Sequence, residues 1–222
     1  MIQSSNLCTE IVQYSSPESP AVCFLASISL PYCVDDNGTF NFTRLHQVVK
    51  AAVFNTDKCV DLSDFPSTAA AVASKRTRAL GVGVQGLADV FMMLRLPFTG
   101  QRARALNVAI FESIYYAALD ASCTLAEQHG PYPMWAGSPA SRGILQIDMW
   151  GATPSPRFDF DALRQRIARH GLRNSLLTAL MPTATTSKLI GNFESFEPFT
   201  RYAPTSVVAV DNRLANPYPA IL

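Results

Sequence analysis

The stretch that decides the fold is Leu80-Gly-Val-Gly-Val-Gln-Gly-Leu-Ala-Asp89, where a short apolar run passes directly into a helical pattern. Residues 80–84 predict a buried strand whose glycines let another chain segment approach closely. Residues 87–94 predict a helix. A strand followed at once by a helix is typical of α/β folds, so this stretch predicts an α/β architecture.

The rest of the chain repeats this alternation of strand and helix patterns. Extended or strand segments are predicted at residues 1–11, 22–30, 176–181 and 207–210. Helices are predicted at residues 42–55, 67–78, 103–129, 161–170 and 183–190. Residues 35–38 predict a turn, and residues 131–158 are rich in loops. The order favours largely parallel strands in a single unit without an internal domain boundary.

Composition narrows the possible classes of protein. Hydrophobic residues make up 48% of the 222 residues and charged residues only 16%, so we expect part of the surface to be covered by other protein. The net charge of +1 is scattered, which argues against binding nucleic acid or an anionic membrane. No apolar run reaches the roughly 20 residues of a membrane span, and no secretory signal is visible. Five cysteines without metal spacing favour a reducing, cytoplasmic setting and no metal site.

A second informative stretch is Ser5-Asn-Leu-Cys-Thr-Glu-Ile11. If it is extended, Asn6, Cys8 and Glu10 project to one face, because alternate side chains of a strand point the same way. An amide, a thiol and a carboxylate would then lie together. The competing interpretation is a half-buried strand with a small core cysteine, since free cysteine is among the most buried residue types.

These stretches, with others in the same order, resemble the large catalytic subunit of class I ribonucleotide reductase in its eukaryotic and viral form. The matching segments are residues 5–11, 21–28, 75–76, 81–89, 137–139, 143–146, 148–150, 171–177, 181–185, 191–192, 194–195 and 197–198. The resemblance implies that residues 1–222 are the later half of a ten-stranded α/β barrel. It also implies that the radical cysteine sits on a finger loop inside that barrel.

The resemblance assigns chemical roles to the second stretch. Cys8 would become a thiyl radical and take the 3′-hydrogen of a ribonucleoside diphosphate. Glu10 would act as general base at the 3′-hydroxyl, and Asn6, with Ser5, would hold the sugar. Cys23, fifteen residues after Cys8, would be half of the reducing dithiol, although its apolar surroundings also suit a core cysteine.

A diphosphate-binding loop is implied after the strand predicted at 176–181. It consists of Pro182, Thr183, Ala184, Thr185, Thr186 and Ser187. Backbone N–H groups at a helix start attract anions, but hydroxyl residues there are equally typical of ordinary helix capping. The glycines at 81, 83 and 86 also fit a dinucleotide-binding fingerprint, which we reject because the acidic residue about 20 positions further on is absent.

The resemblance further implies partners that lie outside this segment. The radical would come from the metal centre of a small subunit, and ATP and deoxynucleotide effectors would bind regions that this chain lacks. The full-length large subunit would form a homodimer, and thioredoxin or glutaredoxin would re-reduce it. We therefore expect a fragment that binds no cofactor itself and is inactive in isolation, within an enzyme that supplies deoxyribonucleotides for DNA synthesis.

Two other functions fit the same residues. One is a non-catalytic remnant that acts, if at all, as a binding protein, and the other is a thiol enzyme with Cys8 as nucleophile. Cys33, Cys59 and Cys123 match nothing catalytic and are expected to be packing residues.

Overall fold

The computed structural model describes residues 8–199, which form an α/β unit. Its strands and helices, in chain order, are β1 (Leu25–Ser29), α1 (Phe42–Leu62), α2 (Thr68–Thr77), β2 (Gly81–Gln85), α3 (Leu87–Met93), α4 (Gln101–His129), α5 (Gln146–Met149), α6 (Phe160–His170) and α7 (Ala184–Ile190). Two short 3-10 helices cover Leu30–Cys33 and Ala140–Arg142. The strand predicted at 207–210 lies outside the described residues. No helix between residues 8 and 199 is both long and apolar enough to cross a membrane.

The strand pairing is parallel, as the sequence predicted. Leu25 of β1 lies opposite Gly81 of β2, and Ser29 lies opposite Gln85. On its other side, β2 meets the following chain through a single parallel bridge between Val82 and Thr178. β2 is therefore the middle of three parallel segments whose carboxyl ends point the same way.

β2 occupies this middle position because its glycines leave room for the segment around Thr178. A Cβ atom on Gly83 would overlap the carbonyl oxygen of Ala179 and lie 2.8 Å from Sδ of Met181. One on Gly81 would lie 2.9 Å from Cβ of Ala179 and 2.6 Å from Cδ2 of Leu25. The predicted close approach is confirmed, and the glycines serve packing rather than dinucleotide binding. We call this side of β2 the glycine face.

The opposite side of β2 carries the main core. Val82 and Val84 are buried there in one hydrophobic cluster with Ile28 and with residues of α1 and α4. The contact side of α1 contains Leu45, Val49 and Val53, which are spaced by four residues and are fully buried. The helix extends to Leu62, seven residues beyond the prediction, because its buried positions continue to Val60.

Two predicted strands are shorter than the apolar runs that suggested them. Residues 22–30 yield only β1, which is half-exposed rather than buried, with Leu25 40% exposed. Residues 176–181 contribute only the bridge at Thr178. This segment still follows β2, since Leu80 and Val82 donate their N–H groups to the carbonyls of residues 176 and 177 at 2.9 and 2.8 Å. Apolar runs alone do not distinguish such irregular extended chain from a strand.

A buried polar network joins α1, the end of α2 and the segment before Thr178. The guanidinium of Arg78, whose side chain is 4% exposed, donates to Asp57 at 2.9 Å and to Asp61 at 2.7 Å. Asn174 donates to the same Asp57 carboxylate at 2.7 Å and accepts from Ser122 of α4 at 2.9 Å. Asp57 thus connects three helices and the chain that leads toward the predicted diphosphate loop.

We expect residues 1–222 expressed alone to self-associate. Several large apolar side chains in the described part of the chain are exposed to solvent. They include Leu62 and Trp150, each 73% exposed, and Leu189, which is 79% exposed. Large exposed apolar patches and unpaired strand edges are templates for aggregation. Size-exclusion chromatography with light scattering measures the outcome, and a stable monomer over a wide concentration range would contradict it.

Candidate active site

Cys8, Thr9 and Glu10 form a tight turn rather than the extended segment that the alternation predicted. Thr9 adopts a left-handed conformation with φ of 61°, and the Cys8 N–H donates to Oε2 of Glu10 at 2.8 Å. The extended prediction is wrong here because a side chain that accepts a nearby backbone N–H favours a turn over a strand. Ser5 and Asn6, the other predicted residues of this stretch, lie outside the described residues.

The Cys8 side chain is exposed, so the interpretation as a core cysteine is also wrong. The next apolar residue, Ile11, is buried in a small cluster with Ala179 and Met181, which is separate from the main core. Ala179 and Met181 are the residues that the glycine face of β2 accommodates. The turn with Cys8 and Glu10 is therefore anchored to the segment that leads directly to Thr183.

Cys23 lies two residues before β1 and is exposed as well. Its interpretation as a core cysteine is wrong, since the buried part of this region begins only at Ile28. Because the strands are parallel, Cys23 lies at their amino ends, whereas the predicted diphosphate loop follows their carboxyl ends. Within the described residues, the Cys8 turn is thus anchored near the segment that leads into the loop, whereas Cys23 lies at the amino ends of the strands.

The other cysteines divide into two kinds. Cys33 and Cys123 are buried, which confirms the packing prediction for them, and burial raises the pKa of Cys33 to about 11. A thiol with so high a pKa is a poor nucleophile at neutral pH. Cys59 on α1 is exposed, so the packing prediction is wrong for it. It falls on the outward side of α1 because the buried stripe of that helix passes through Thr56, Asp57 and Val60.

The predicted diphosphate loop separates into exposed and buried members. The exposed ones are Pro182, Ala184, Thr185 and Thr186, and the buried ones are Thr183 and Ser187. Thr183 directly precedes α7, which begins one residue later than the sequence predicted, and its carbonyl accepts the Ser187 N–H at 2.9 Å. Thr185 and Thr186 are therefore the exposed hydroxyl residues of the loop, and the Thr186 hydroxyl donates to the carbonyl of Thr183 at 3.5 Å.

Thr183 has a structural partner that sequence reasoning missed. Its Oγ1 accepts the backbone N–H of Ser195 at 2.8 Å, and Ser195 itself has a left-handed φ of 43°. Just before it, Phe193 donates its N–H to Oδ2 of Asp89 at 2.6 Å. Burial raises the pKa of Asp89, although hydrogen bonds from backbone N–H groups oppose that effect. The signal in the sequence was Asp89 itself, an acidic residue in the first turn of a helix directly after a strand.

More polar groups gather near the carboxyl ends of the strands. Asn192 donates its side-chain amide to Oγ of Ser29 at 2.7 Å, and Gln85 donates to Ser27 at 3.3 Å. Ligands of parallel α/β sheets bind at the carboxyl ends of the strands, so this edge is the natural place for a polar substrate. Within residues 8–199, no three His, Cys, Asp or Glu side chains are arranged to hold a metal ion.

Comparison with known proteins identifies the family. The family described as the ribonucleotide reductase barrel domain matches residues 1–219. The chain belongs to this family. It is 56% identical over 201 residues to the ribonucleoside-diphosphate reductase large chain of Cryptosporidium parvum, covering 90% of this chain and 25% of that protein.

Other relatives come from an animal and a virus. The large subunit of Caenorhabditis elegans is 50% identical over 218 residues, which cover 98% of this chain and 28% of that protein. The large subunit of variola virus is 49% identical over 218 residues, with the same coverage of 98% and 28%. The chain thus spans about a quarter of the length of these reductase large subunits. The predicted resemblance to eukaryotic and viral ribonucleotide reductases is confirmed.

Proposed function

We propose that this chain supplies the radical-bearing part of a ribonucleoside-diphosphate reductase active site, which converts ribonucleoside diphosphates into deoxyribonucleoside diphosphates. The observation that carries the proposal is the exposed turn in which Thr9 brings Cys8 and Glu10 together. Hydrogen abstraction at C3′ and proton removal from the 3′-hydroxyl occur at one carbon of the ribose. A thiyl sulfur and a carboxylate in the same short turn suit that pair of steps.

The remaining steps need groups from other parts of the protein. Asn6 and Ser5 would bind the sugar, and Cys23 with a second thiol would supply two electrons as the 2′-hydroxyl leaves as water. The exposure of Cys23 supports this role, because a reducing thiol must be reached by the substrate and later by its own reductant. Since Cys23 lies at the amino ends of the strands, the ribose would lie between it and the diphosphate loop. The radical itself would be supplied by the metal centre of a small subunit.

Pro182, Thr183, Ala184, Thr185, Thr186 and Ser187 would form the diphosphate site. Two features support this assignment: the anchoring of Ile11 against Ala179 and Met181, and the exposure of Thr185 and Thr186. The packing of Ile11 links the Cys8 turn to the residues directly before the loop. A nucleoside diphosphate extends from the reacting ribose to its phosphates, so the two parts of the site must lie on the same side of β2.

The proposal extends to the whole enzyme. The chain would be part of a ten-stranded barrel without an internal domain boundary, in which the Cys8 turn is the tip of a finger loop. Its large subunit would form a homodimer in the cytoplasm, bind ATP and deoxynucleotide effectors elsewhere, and be reduced by thioredoxin or glutaredoxin. We disfavour the binding-protein alternative because Cys8, Glu10 and Cys23 are all retained and the two thiols are exposed.

The proposal is tested in a large subunit of a relative in which residues 1–222 of this chain replace the matching segment. We call this protein the carrier subunit. With a small subunit and a thiol reductant, it is expected to form dCDP from CDP. A carrier subunit that folds and binds CDP but forms no dCDP would contradict the proposed activity.

Removing the hydroxyls of the exposed residues Thr185 and Thr186 should weaken substrate binding. We expect the double substitution Thr185→Val and Thr186→Val in the carrier subunit to cost about 1–3 kcal/mol of CDP affinity, since hydrogen bonds to a charged group are lost. Calorimetric titration with CDP and with uncharged cytidine measures the effect. Cytidine should bind as it does to the unsubstituted carrier subunit, and equal weakening for both ligands would contradict the assignment.

A further inference from the structure

The first residues of α3 form hydrogen bonds with the short segment around Phe193 that follows α7. The Gly86 N–H donates to the carbonyl of Phe193 at 2.9 Å, and the Phe193 N–H donates to Asp89 at 2.6 Å. Both backbone polar groups of Phe193 are thus bound by the first turn of α3. The Phe193 side chain is buried, so the segment is fixed by packing as well.

The same segment also contacts Thr183 in the predicted diphosphate loop. Two residues after Phe193, the Ser195 N–H donates to Oγ1 of Thr183 at 2.8 Å. A hydroxyl that accepts one hydrogen bond still has its own proton to donate, so this contact orients the Thr183 hydroxyl. We call the set Gly86, Asp89, Phe193, Ser195 and Thr183 the α3 clasp.

The backbone of the clasp is held in conformations that need outside support. Ser195 has a φ of 43°, which is unfavourable for a residue with a side chain. Gly86 has a φ of 78°, and a Cβ atom there would lie 2.6 Å from Cδ of Pro31. Such conformations persist only where surrounding contacts enforce them, and they are frequent near ligand sites.

We propose that Asp89 is a positioning residue for diphosphate binding: its carboxylate holds Phe193 and, through Ser195, fixes the buried Thr183 from which the exposed Thr185 and Thr186 follow. This inference rests on the proposed function. Asp89 does not touch the substrate in this role. It is remote from the Cys8 turn in sequence and acts on substrate affinity rather than on the chemical step.

The test compares Asp89→Ala, which removes the acceptor, with Asp89→Asn, which keeps an acceptor oxygen in nearly the same place. In the carrier subunit, Asp89→Ala should raise the KM for CDP about tenfold and leave kcat within about twofold, since losing one such bond costs on the order of 1.4 kcal/mol. Asp89→Asn should restore the KM to within about threefold of the parent value. Amide hydrogen exchange at Phe193 and Ser195 should accelerate in Asp89→Ala but not in Asp89→Asn.

A matched control removes the same kind of bond elsewhere. Asp159 accepts the Ala162 N–H at 2.8 Å at the start of α6, so Asp159→Ala should leave the KM for CDP and the exchange at Ser195 unchanged. Asp89→Ser is the second variant if Asp89→Ala does not fold, because serine is tolerated in a first helical turn but is too short to reach Phe193. It should raise the KM as Asp89→Ala does.

The outcomes separate the inference from the function on which it rests. Suppose that the parent carrier subunit binds CDP more tightly than cytidine. If Asp89→Ala or Asp89→Ser then binds CDP as tightly as the parent does, the positioning role is wrong and the proposed diphosphate site stands. If the parent binds CDP no more tightly than cytidine, the diphosphate site itself is wrong. A fall in kcat at unchanged KM would also overturn the positioning role.

Discussion

Replacing Cys8 with serine should abolish deoxyribonucleotide formation while leaving substrate binding intact. An oxygen at this position cannot form the thiyl radical that the proposed reaction requires, and serine is otherwise close to cysteine in size. In the carrier subunit, we expect dCDP formation by Cys8→Ser to fall to the level of an empty-vector control. The affinity for CDP should stay near that of the parent, because the Cys8 contact with Glu10 is made by the backbone N–H.

Cys59→Ser is the matched control for this prediction. Cys59 is also exposed, but it lies on α1, away from the Cys8 turn in sequence, and has no proposed part in the reaction. Its substitution should leave dCDP formation unchanged. Formation of dCDP by Cys8→Ser clearly above the vector control would show that Cys8 does not carry the radical.

Replacing Asp57 with alanine should cause the largest loss of stability in this part of the chain. The Asp57 carboxylate accepts from Arg78 and Asn174, so its removal leaves Arg78 paired only with the half-exposed Asp61 and takes the nearby counterion from Arg173. Removing one partner of a buried ion pair costs about 3–5 kcal/mol because the remaining charge stays buried. Hydrogen exchange of the slowest amides of α1 and α4 in the carrier subunit should report an opening free energy lower by about that amount.

Asp35→Ala provides the comparison with an exposed ion pair. Asp35 contacts Arg44 at 3.0 Å, and about a third of each side chain is exposed. Such a pair contributes about 0–1 kcal/mol, and Asp35 also accepts a part-buried hydrogen bond from Asn41 at 3.1 Å, so exchange in α1 should change far less than in Asp57→Ala. A loss for Asp57→Ala no greater than that for Asp35→Ala would mean that the network around Arg78 does not support the fold.

Much of the helical framework could be predicted from local patterns. Gly130 and Gly171 follow α4 and α6 directly, and both helices were predicted to within two residues. Asp35 to Gly38 forms the predicted turn, with the Gly38 N–H bonded to Asp35 at 2.9 Å. These features depend on residues within one or two turns of each other, so the sequence contains the whole signal.

The site was predicted less completely, because its geometry depends on contacts between distant segments. The sequence identified Cys8, Glu10 and Cys23 and the loop after residue 181, but it could not indicate that both thiols are exposed. Nor did it indicate the turn at Thr9 or the contact of Asp89 with Phe193, which joins residues 104 positions apart.

By itself, then, the sequence determined the family, the α/β class, the main helices and the residue types available for chemistry. Tertiary structure alone decided which cysteines face solvent, how the Cys8 turn is anchored through Ile11, and how Thr183 is held by Ser195. The physical reason is that helix periodicity and turns are local, whereas burial follows from the packing of remote segments. The glycine face of β2 illustrates both contributions. Its glycines are evident in the sequence, but only the fold shows that Ala179 and Met181 pack against them.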